Sequence, residues 1–529
     1  MMKLLQKRSF VLALGATLVF LLFGKYFWSF FAFPGVPFGY DAGIYRYLFS
    51  KHAQAFPPFS VPALPPWAAS HPLGLFFFST LLIHVGMTPD MLIGWVWNIF
   101  PVVLFLVLSY VWGRKHGAFL GVCILLLSLL STVQYQGFLM MYWKVFAAFL
   151  WCVFAFSFFE RRSRLWVFFG MLAIATHQQI GLILVLAVLA AILSEGHKPG
   201  TLLTSLLEWC TALTLGLLWY IPNGDAAIVD LIPMLTTSVF SLVSLGVLVF
   251  VVGLIAIITF FPRRGHSILL LACGALGCIL LLLPLTGIAP ESLGFLLRRP
   301  DAVPGAFLTI PEYLEQSLPL LLLGVLGFFL SFEREKGTVW QWAAILSGLA
   351  VLSLFFFYRR FILPLDFFLL PFAASTLAHL CTSRTRWFFL PGVIIVFSQL
   401  WLSIDQIRSI DPHVDRAMLQ EFSLLHSVVE PSSEVIVLDV MAPWVVGYLP
   451  ENAVSGPGIF ASQSKDAWEK LLYGSDAERL LFISRYPKGT YFLATDVFRS
   501  YYPPEVQTLL LHSCLKPTDV RGLLRSVCG

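Results

Sequence analysis

The chain has 529 residues, 58% of them hydrophobic and only 12% charged, with a mean hydropathy of +0.83. An ordinary soluble domain carries about a quarter charged residues, and here apolar runs near the ~20 residues that cross a bilayer recur along most of the chain. A soluble enzyme, a disordered protein and a small disulfide scaffold are excluded. The net charge of +5 is not a nucleic-acid signal: residues 1–403 hold 23 Lys/Arg against 14 Asp/Glu, and residues 404–529 hold 11 against 15. The basic excess lies in the membrane part, where loop orientation explains it.

Lys3, Lys7 and Arg8 precede an apolar stretch from about residue 9 to 33. Its length, with no small-residue cleavage site after it, predicts an uncleaved first span with its basic end in the cytoplasm. Residues 34–71 are proline-rich, aromatic and too polar to span; residues 72–86 are apolar but only 15 long, and read as a partly inserted or juxtamembrane helix. Basic clusters then punctuate the chain at 113–117, 160–164, 195–198, 262–265, 333–336 and 382–386. With each on the cytoplasmic side, spans fall near 90–112, 117–138, 142–159, 164–176, 180–194, 202–221, 236–261, 267–288, 313–332, 338–357, 361–381 and 386–403. That makes 13 crossings, with 15 Lys/Arg inside, seven outside and Lys25 within the first span, and an odd number puts the following segment outside. The expected protein is a multi-pass, mainly α helical bundle of the cytoplasmic (plasma) membrane over residues 1–403, with 34–89 as its first extracytoplasmic loop.

From about residue 404 the character changes: 26 of 126 residues are charged, against 37 of 403 before. EVIVLDV (434–440) and TYFLATD (490–496) read as buried strands with a helical DAWEKLLYG (466–474) between them, which predicts a small extracytoplasmic α/β domain. Six of the eight cysteines lie in or beside apolar segments, without metal-ligand spacing, as small hydrophobes. Cys514 and Cys528 lie in the tail, where export permits a disulfide and two free thiols are the alternative.

Against so few charges, ionisable residues on the outer face stand out. Asp41, in PFGYDAGIYRYLFSK, is the only carboxylate in the first 89 residues, and Tyr45 follows one helical turn later. A carboxylate at the water–lipid boundary can act as a general base or help hold a divalent metal; its structural alternative is a helix N-cap. Arg359 and Arg360 interrupt two apolar spans on the outer side, against the positive-inside tendency, where guanidinium groups suit phosphate or snorkel to lipid headgroups. His71, before Pro72, Lys144, in FLMMYWK, and His177 with Gln178, in THQQ, map to the same face. Together these groups suit an anionic lipid headgroup beside an activated acceptor. No Walker loop, zinc-protease helix or nucleophile elbow is present in the sequence.

These residues resemble the GT-C glycosyltransferases, polytopic enzymes that use polyprenyl-phosphate-linked sugars, among them protein O-mannosyltransferases, aminoarabinose transferases and oligosaccharyltransferases. Asp41-Ala42-Gly43-Ile44-Tyr45 is similar to their first-loop motif, with Ala42 where several members carry Glu. His71-Pro72-Leu73-Gly74 resembles the stretch that closes that loop, and Thr176-His177-Gln178 stands at a Thr-Lys-Gly turn. Trp143-Lys144 stands where many members carry Asp, and Arg359-Arg360-Phe361-Ile362-Leu363-Pro364 resembles the basic-aromatic opening of a late span. Pro443-Trp444-Val445-Val446-Gly447-Tyr448 is faintly similar to the Trp-Trp-Asp-Tyr-Gly motif, without its Asp.

The resemblance implies an inverting sugar transfer from a polyprenyl-phosphate donor to an extracytoplasmic glycan, lipid or protein. Asp41 would be the base and Tyr45 the orienting group; His71, Lys144, His177, Gln178, Arg359 and Arg360 would hold the donor phosphate. A divalent metal (Mg, Mn or Zn) would be held by Asp41 and His71. The competing expectations are a flippase or transporter of lipid-linked glycans and a non-catalytic subunit of an envelope complex.

Overall fold

The computed structural model describes residues 8–55, 62–69, 71–194, 199–220, 306–334, 338–352, 357–382 and 389–528. The expected spans 236–261 and 267–288 lie outside them. The chain divides into two compact units. Met1–Trp28, His71–Leu75 and Asn98–Ile410 form the first; Ser29–Ser70, Phe76–Trp97 and Asp411–Gly529 form the second.

The chain is mainly helical. Among the described residues six helices are long and apolar enough to cross a membrane: Ser9–Ala32, Pro89–His116, Trp143–Glu160, Gly200–Leu218, Ile310–Ser331 and Tyr358–Thr382. Leu73–His84, Leu165–Thr176, Gln178–Ser194 and Val339–Leu352 are apolar but shorter. The basic clusters end helices as the cost of charge in lipid requires: Arg114, Lys115 and His116 close the helix Trp97–His116, and Arg161 caps Trp143–Glu160.

The first unit departs from the expected pattern at 117–138. That run is not one straight span but two helices, Ala118–Leu130 and Thr132–Leu139, bent by 55°. Ser131 causes the break. Its backbone is extended (ψ 116°), and its hydroxyl accepts from the Gln134 N–H at 3.1 Å, capping the second helix. The Lys25 ammonium donates to the Leu129 and Ser131 carbonyls at 2.7 and 3.1 Å and to the Ser403 hydroxyl at 2.9 Å. The Ser131 hydroxyl also donates to the Asp366 carboxylate at 2.9 Å, which accepts from Gln134 Nε2 at 2.9 Å and from Ser317 Oγ at 3.2 Å. Lys25 is 4% exposed and Asp366 3%. Opposite charges that are both hydrogen-bonded are the form in which a bundle interior tolerates ionisable groups.

The second unit carries the small α/β region. Its five-stranded sheet has the order β2-β1-β3-β5-β4, with β1 at Glu434–Val437, β2 at Ala453–Ser455, β3 at Tyr491–Leu493, β4 at Leu515–Pro517 and β5 at Leu523–Ser526. β1 runs parallel to β2 and β3, and β5 is antiparallel to β3 and β4. Val435, Ile436 and Val437 are wholly buried, as expected of a strand covered on both faces. The two strands read from sequence are β1 and β3, and the helix between them is Lys465–Tyr473. Three further strands of three or four residues complete the sheet. Cys514 and Cys528 are joined as a disulfide across the β4–β5 pair.

Candidate functional site

In the second unit, Asp41 occupies the N-cap position of the helix Ala42–Gln54, but its side chain makes no capping hydrogen bond. Its carbonyl accepts from the Tyr45 N–H at 3.0 Å, which seeds the helix. The carboxyl group is half-buried. Next to it the Tyr40 hydroxyl donates to the Val440 carbonyl at 2.6 Å, and its pKa is pushed up to about 12, by burial first and then by the negative charges of Asp41 and Asp439. Tyr45 is 5% exposed, its ring 5.8 Å from Phe49 and 6.4 Å from Phe76. Its ring is thus part of an aromatic core.

What fixes the Asp41 turn was not legible in the sequence. Helices Ala42–Gln54 and Ala442–Tyr448 cross at Gly43 and Gly447. A methyl group on Gly43 would strike the Pro443 carbonyl and the Trp444 backbone, and one on Gly447 would strike the Gly43 backbone. The Trp444-containing stretch therefore serves in this unit as the surface on which the Asp41 helix lies. Arg46 clamps the crossing: its guanidinium pairs with Asp90 at 2.7 Å, donates to the Gly447 carbonyl and lies 4.5 Å over the Tyr448 ring. A small-residue pair (Ala42-Gly43) followed by an arginine was the only available signal.

In the first unit the remaining predicted residues gather. Gly74 lets the His71-Pro72-Leu73-Gly74 stretch press onto the end of the helix Leu165–Thr176: a Cβ there would lie 2.6 Å from Thr176 Oγ1 and 2.8 Å from the Ala175 carbonyl. His71 is thereby held beside the next turn of chain, and its Nδ1 lies 2.7 Å from Lys144 Nζ. The ammonium donates, which leaves the His71 proton on Nε2. His177 sits in the break between Leu165–Thr176 and Gln178–Ser194 with an extended backbone. Its Nδ1 accepts from the Ile180 N–H at 3.4 Å. Burial, then the positive charges of Lys144 and Arg360, hold the His177 pKa well below 6.5, so the ring is neutral. Gln178 opens the following helix and is half-buried.

Arg359 and Arg360 lie in a 3-10 turn, Tyr358–Phe361, that feeds the helix Ile362–Thr382. The Arg360 guanidinium stands 4.6 Å over the Phe357 ring and 5.9 Å over Tyr142, and its buried Nε has no hydrogen-bond partner among the described residues. The Tyr142 hydroxyl donates in turn to the Ala306 carbonyl. Two of the four described non-glycine residues with positive φ, Met141 (58°) and Phe357 (53°), bracket the turns carrying Lys144 and the arginine pair. Such conformations cost of order 1–3 kcal/mol each and persist where surrounding contacts over-determine them.

The arrangement is a cationic cluster in which Lys144, Arg360 and two histidines act on one another electrostatically, suited to phosphate oxygens. Among the described residues no group of three or more His, Cys, Asp or Glu side chains converges, and His71 Nδ1 lies against the Lys144 ammonium. Of the other outer-face groups in the sequence that could supply a second carboxylate or charge, Asp225, Asp230, Glu291, Arg298, Arg299 and Asp301 lie outside the described residues. Asp90 is committed to Arg46, and Glu312 accepts from the Thr309 N–H at 2.7 Å.

No protein-family model matches the chain, and none of the curated proteins does. Among solved structures it is similar to the apo form of the oligosaccharyltransferase of Archaeoglobus fulgidus, with a TM-score of 0.61 and 12% identity over 95% of this chain and 71% of that one. The same enzyme tethered through a disulfide to an acceptor peptide containing the NVT sequon gives a TM-score of 0.58 at 11% identity, over 96% and 71%. The fold is that of the GT-C glycosyltransferases, a helical membrane bundle with a C-terminal α/β region.

Proposed function

We propose that this protein is a membrane glycosyltransferase that moves a sugar from a polyprenyl-phosphate-linked donor to an extracytoplasmic acceptor with inversion. The observation that carries the reading is the cationic cluster of the first unit, occurring in a chain whose fold is shared with an oligosaccharyltransferase. In this reading Lys144, Arg359 and Arg360, with His71, His177 and Gln178, hold the donor phosphate. Asp41 takes the proton from the acceptor nucleophile as that atom bonds to the anomeric carbon. The bond from that carbon to the phosphate oxygen breaks, its electron pair leaves on the phosphate, and the cationic groups offset the new charge. Tyr45 orients the Asp41 turn. The N-terminus would face the cytoplasm and the α/β region the opposite side of the cytoplasmic membrane.

The test is purified protein with radiolabelled polyprenyl-phosphate sugars and a panel of glycan, lipid and peptide acceptors. Wild type transfers label, and Asp41→Asn loses at least about a hundredfold in rate, the usual contribution of a general base. Unchanged transfer by Asp41→Asn overturns the assigned base. A second reading, a transporter of lipid-linked glycans, draws on the broken helix at Ser131 with Lys25 and Asp366 beside it, because interrupted helices often line transport paths. Translocation of labelled lipid across a vesicle membrane without sugar transfer would favour it.

A further inference from the structure

The helices Trp97–His116 and Trp143–Glu160 of the first unit end on the same face, where Lys115 Nζ meets Glu160 Oε2 at 3.4 Å. Just inside those ends they part to leave a cavity of about 480 Å³. Leu106, Val107 and Val111 line one wall, Phe154 and Phe158 the other, and Tyr110, Ser157 and Arg161 supply its polar groups. The charges around it are unevenly satisfied. Lys115 is paired with Glu160, and Arg164 with Glu208 at 3.2 Å. The exposed guanidinium of Arg161 has no ion-pair or hydrogen-bond partner among the described residues, although it is the basic group that lines the cavity.

We propose that this groove binds an anionic membrane phospholipid, with one acyl chain between the two helices and the phosphodiester on Arg161. An apolar trough that ends in an uncompensated arginine matches a molecule with a hydrocarbon chain below a phosphate, and basic pockets between membrane helices are a recognised mode of binding anionic headgroups. Tyr110 and Arg161 are the residue types that prefer the headgroup level. The site is separate from the cationic cluster above. Lys144 stands at the start of Trp143–Glu160 and Arg161 caps its end, and an 18-residue helix rises about 27 Å, close to the hydrocarbon thickness of a bilayer. The proposal does not rest on glycosyl transfer.

The experiment is native mass spectrometry of the purified full-length protein with phosphatidylglycerol and with phosphatidylcholine of identical acyl chains. Wild type retains phosphatidylglycerol about fivefold better, the effect of one basic group on an anionic headgroup. Arg161→Gln abolishes that preference, Arg161→Lys keeps most of it, and Val107→Trp, which fills the trough, lowers retention of both lipids. Equal retention of the two lipids by wild type overturns the proposal, as does a preference that survives in Arg161→Gln. Thermal unfolding of each variant in the same detergent identifies a lost preference that comes only from misfolding, and Arg161→Lys then decides the outcome.

Discussion

The two units fix their candidate functional turns by opposite means. In the first, the segments leading to Lys144 and to Arg359–Arg360 are tied together by buried charge. Asp366, one turn and a half beyond Arg360, accepts hydrogen bonds from Ser131, Gln134 and Ser317, and Gln134 Nε2 also donates to the Leu363 carbonyl at 3.1 Å. In the second, the Asp41 turn rests on a glycine crossing and an aromatic core, with ion pairs such as Arg46–Asp90 at its surface. The difference follows from solvent. Lipid tails are as apolar as leucine, so burying leucine against leucine gives little drive for one helix arrangement over another, whereas an unsatisfied polar group is costly. In water, apolar burial supplies that drive, and a buried carboxylate of the second unit, Asp439, is satisfied locally by the Met441 and Thr495 N–H groups and the Thr495 hydroxyl.

The largest effect that would test this contrast is on Asp366. Asp366→Ala leaves the Ser131, Gln134 and Ser317 donors without their acceptor and removes a negative charge that acts on buried Lys25, and is expected to destabilise the first unit by about 3–5 kcal/mol. Replacing both partners, as Lys25→Met with Asp366→Leu, should recover most of the loss. Thermal unfolding in detergent, followed by tryptophan fluorescence, reads both variants, and a melting point unchanged in Asp366→Ala would break the comparison.

The second unit answers to acid through an apolar contact. His52 is 9% exposed and stacks on Phe76 at 4.8 Å, and burial pulls its pKa down from 6.5 to about 4. Below pH 6.5 the unfolded chain therefore binds a proton that the folded one refuses. Stability is full above that pH and falls as pH drops toward 4, by roughly 3 kcal/mol in total. Denaturant midpoints at pH 7, 5.5 and 4.5 should drift down in wild type and flatten in His52→Leu. Identical drift in the two would remove His52 from the account.

The smallest effect belongs to the charges on the surface. Asp90→Asn removes a partner of Arg46 whose side chain is 62% exposed, and should cost less than about 1 kcal/mol. A cost as large as that of Asp366→Ala would mean the second unit is also built on charge.

The sequence carried the large features because lipid makes them expensive to hide. Basic clusters mark where helices stop, as at Arg114–His116 and Arg161, and the contrast in charge between the two ends of the chain marks the α/β region. Strands β1 and β3 were readable because each lies in a continuous apolar run, while β2, β4 and β5 carry polar residues, Ser455, Lys516, Arg525 and Ser526, that leave no such run. The break at Ser131 was hidden by its context: a serine followed by threonine is a capping signal, but nothing apolar is interrupted around it. Lys25 could be placed within the first span, yet its link to Asp366 joins positions 341 apart, which no local pattern reports. At the site, Asp41, His71, Lys144 and the arginine pair were conspicuous as charges. Gly43, Gly74, Gly447 and Arg46, which hold them, were not.

The sheet order has a consequence for how the α/β region comes into being. β5 is the last strand in the chain, yet it lies inside the sheet, between β3 and β4. The parallel core pairs β1 with β3, whose partners Val435 and Tyr491 stand 56 positions apart, and such long loops close slowly. A growing chain can therefore hold β1, β2 and β3 as an open half-sheet with the β3 edge bare until residues 523–526 have been made. The edge is covered last, and the Cys514–Cys528 bond forms around the strand that covers it. Timing, more than contact strength, makes Leu523–Ser526 decisive: delaying them exposes a sheet edge that any other extended segment could claim.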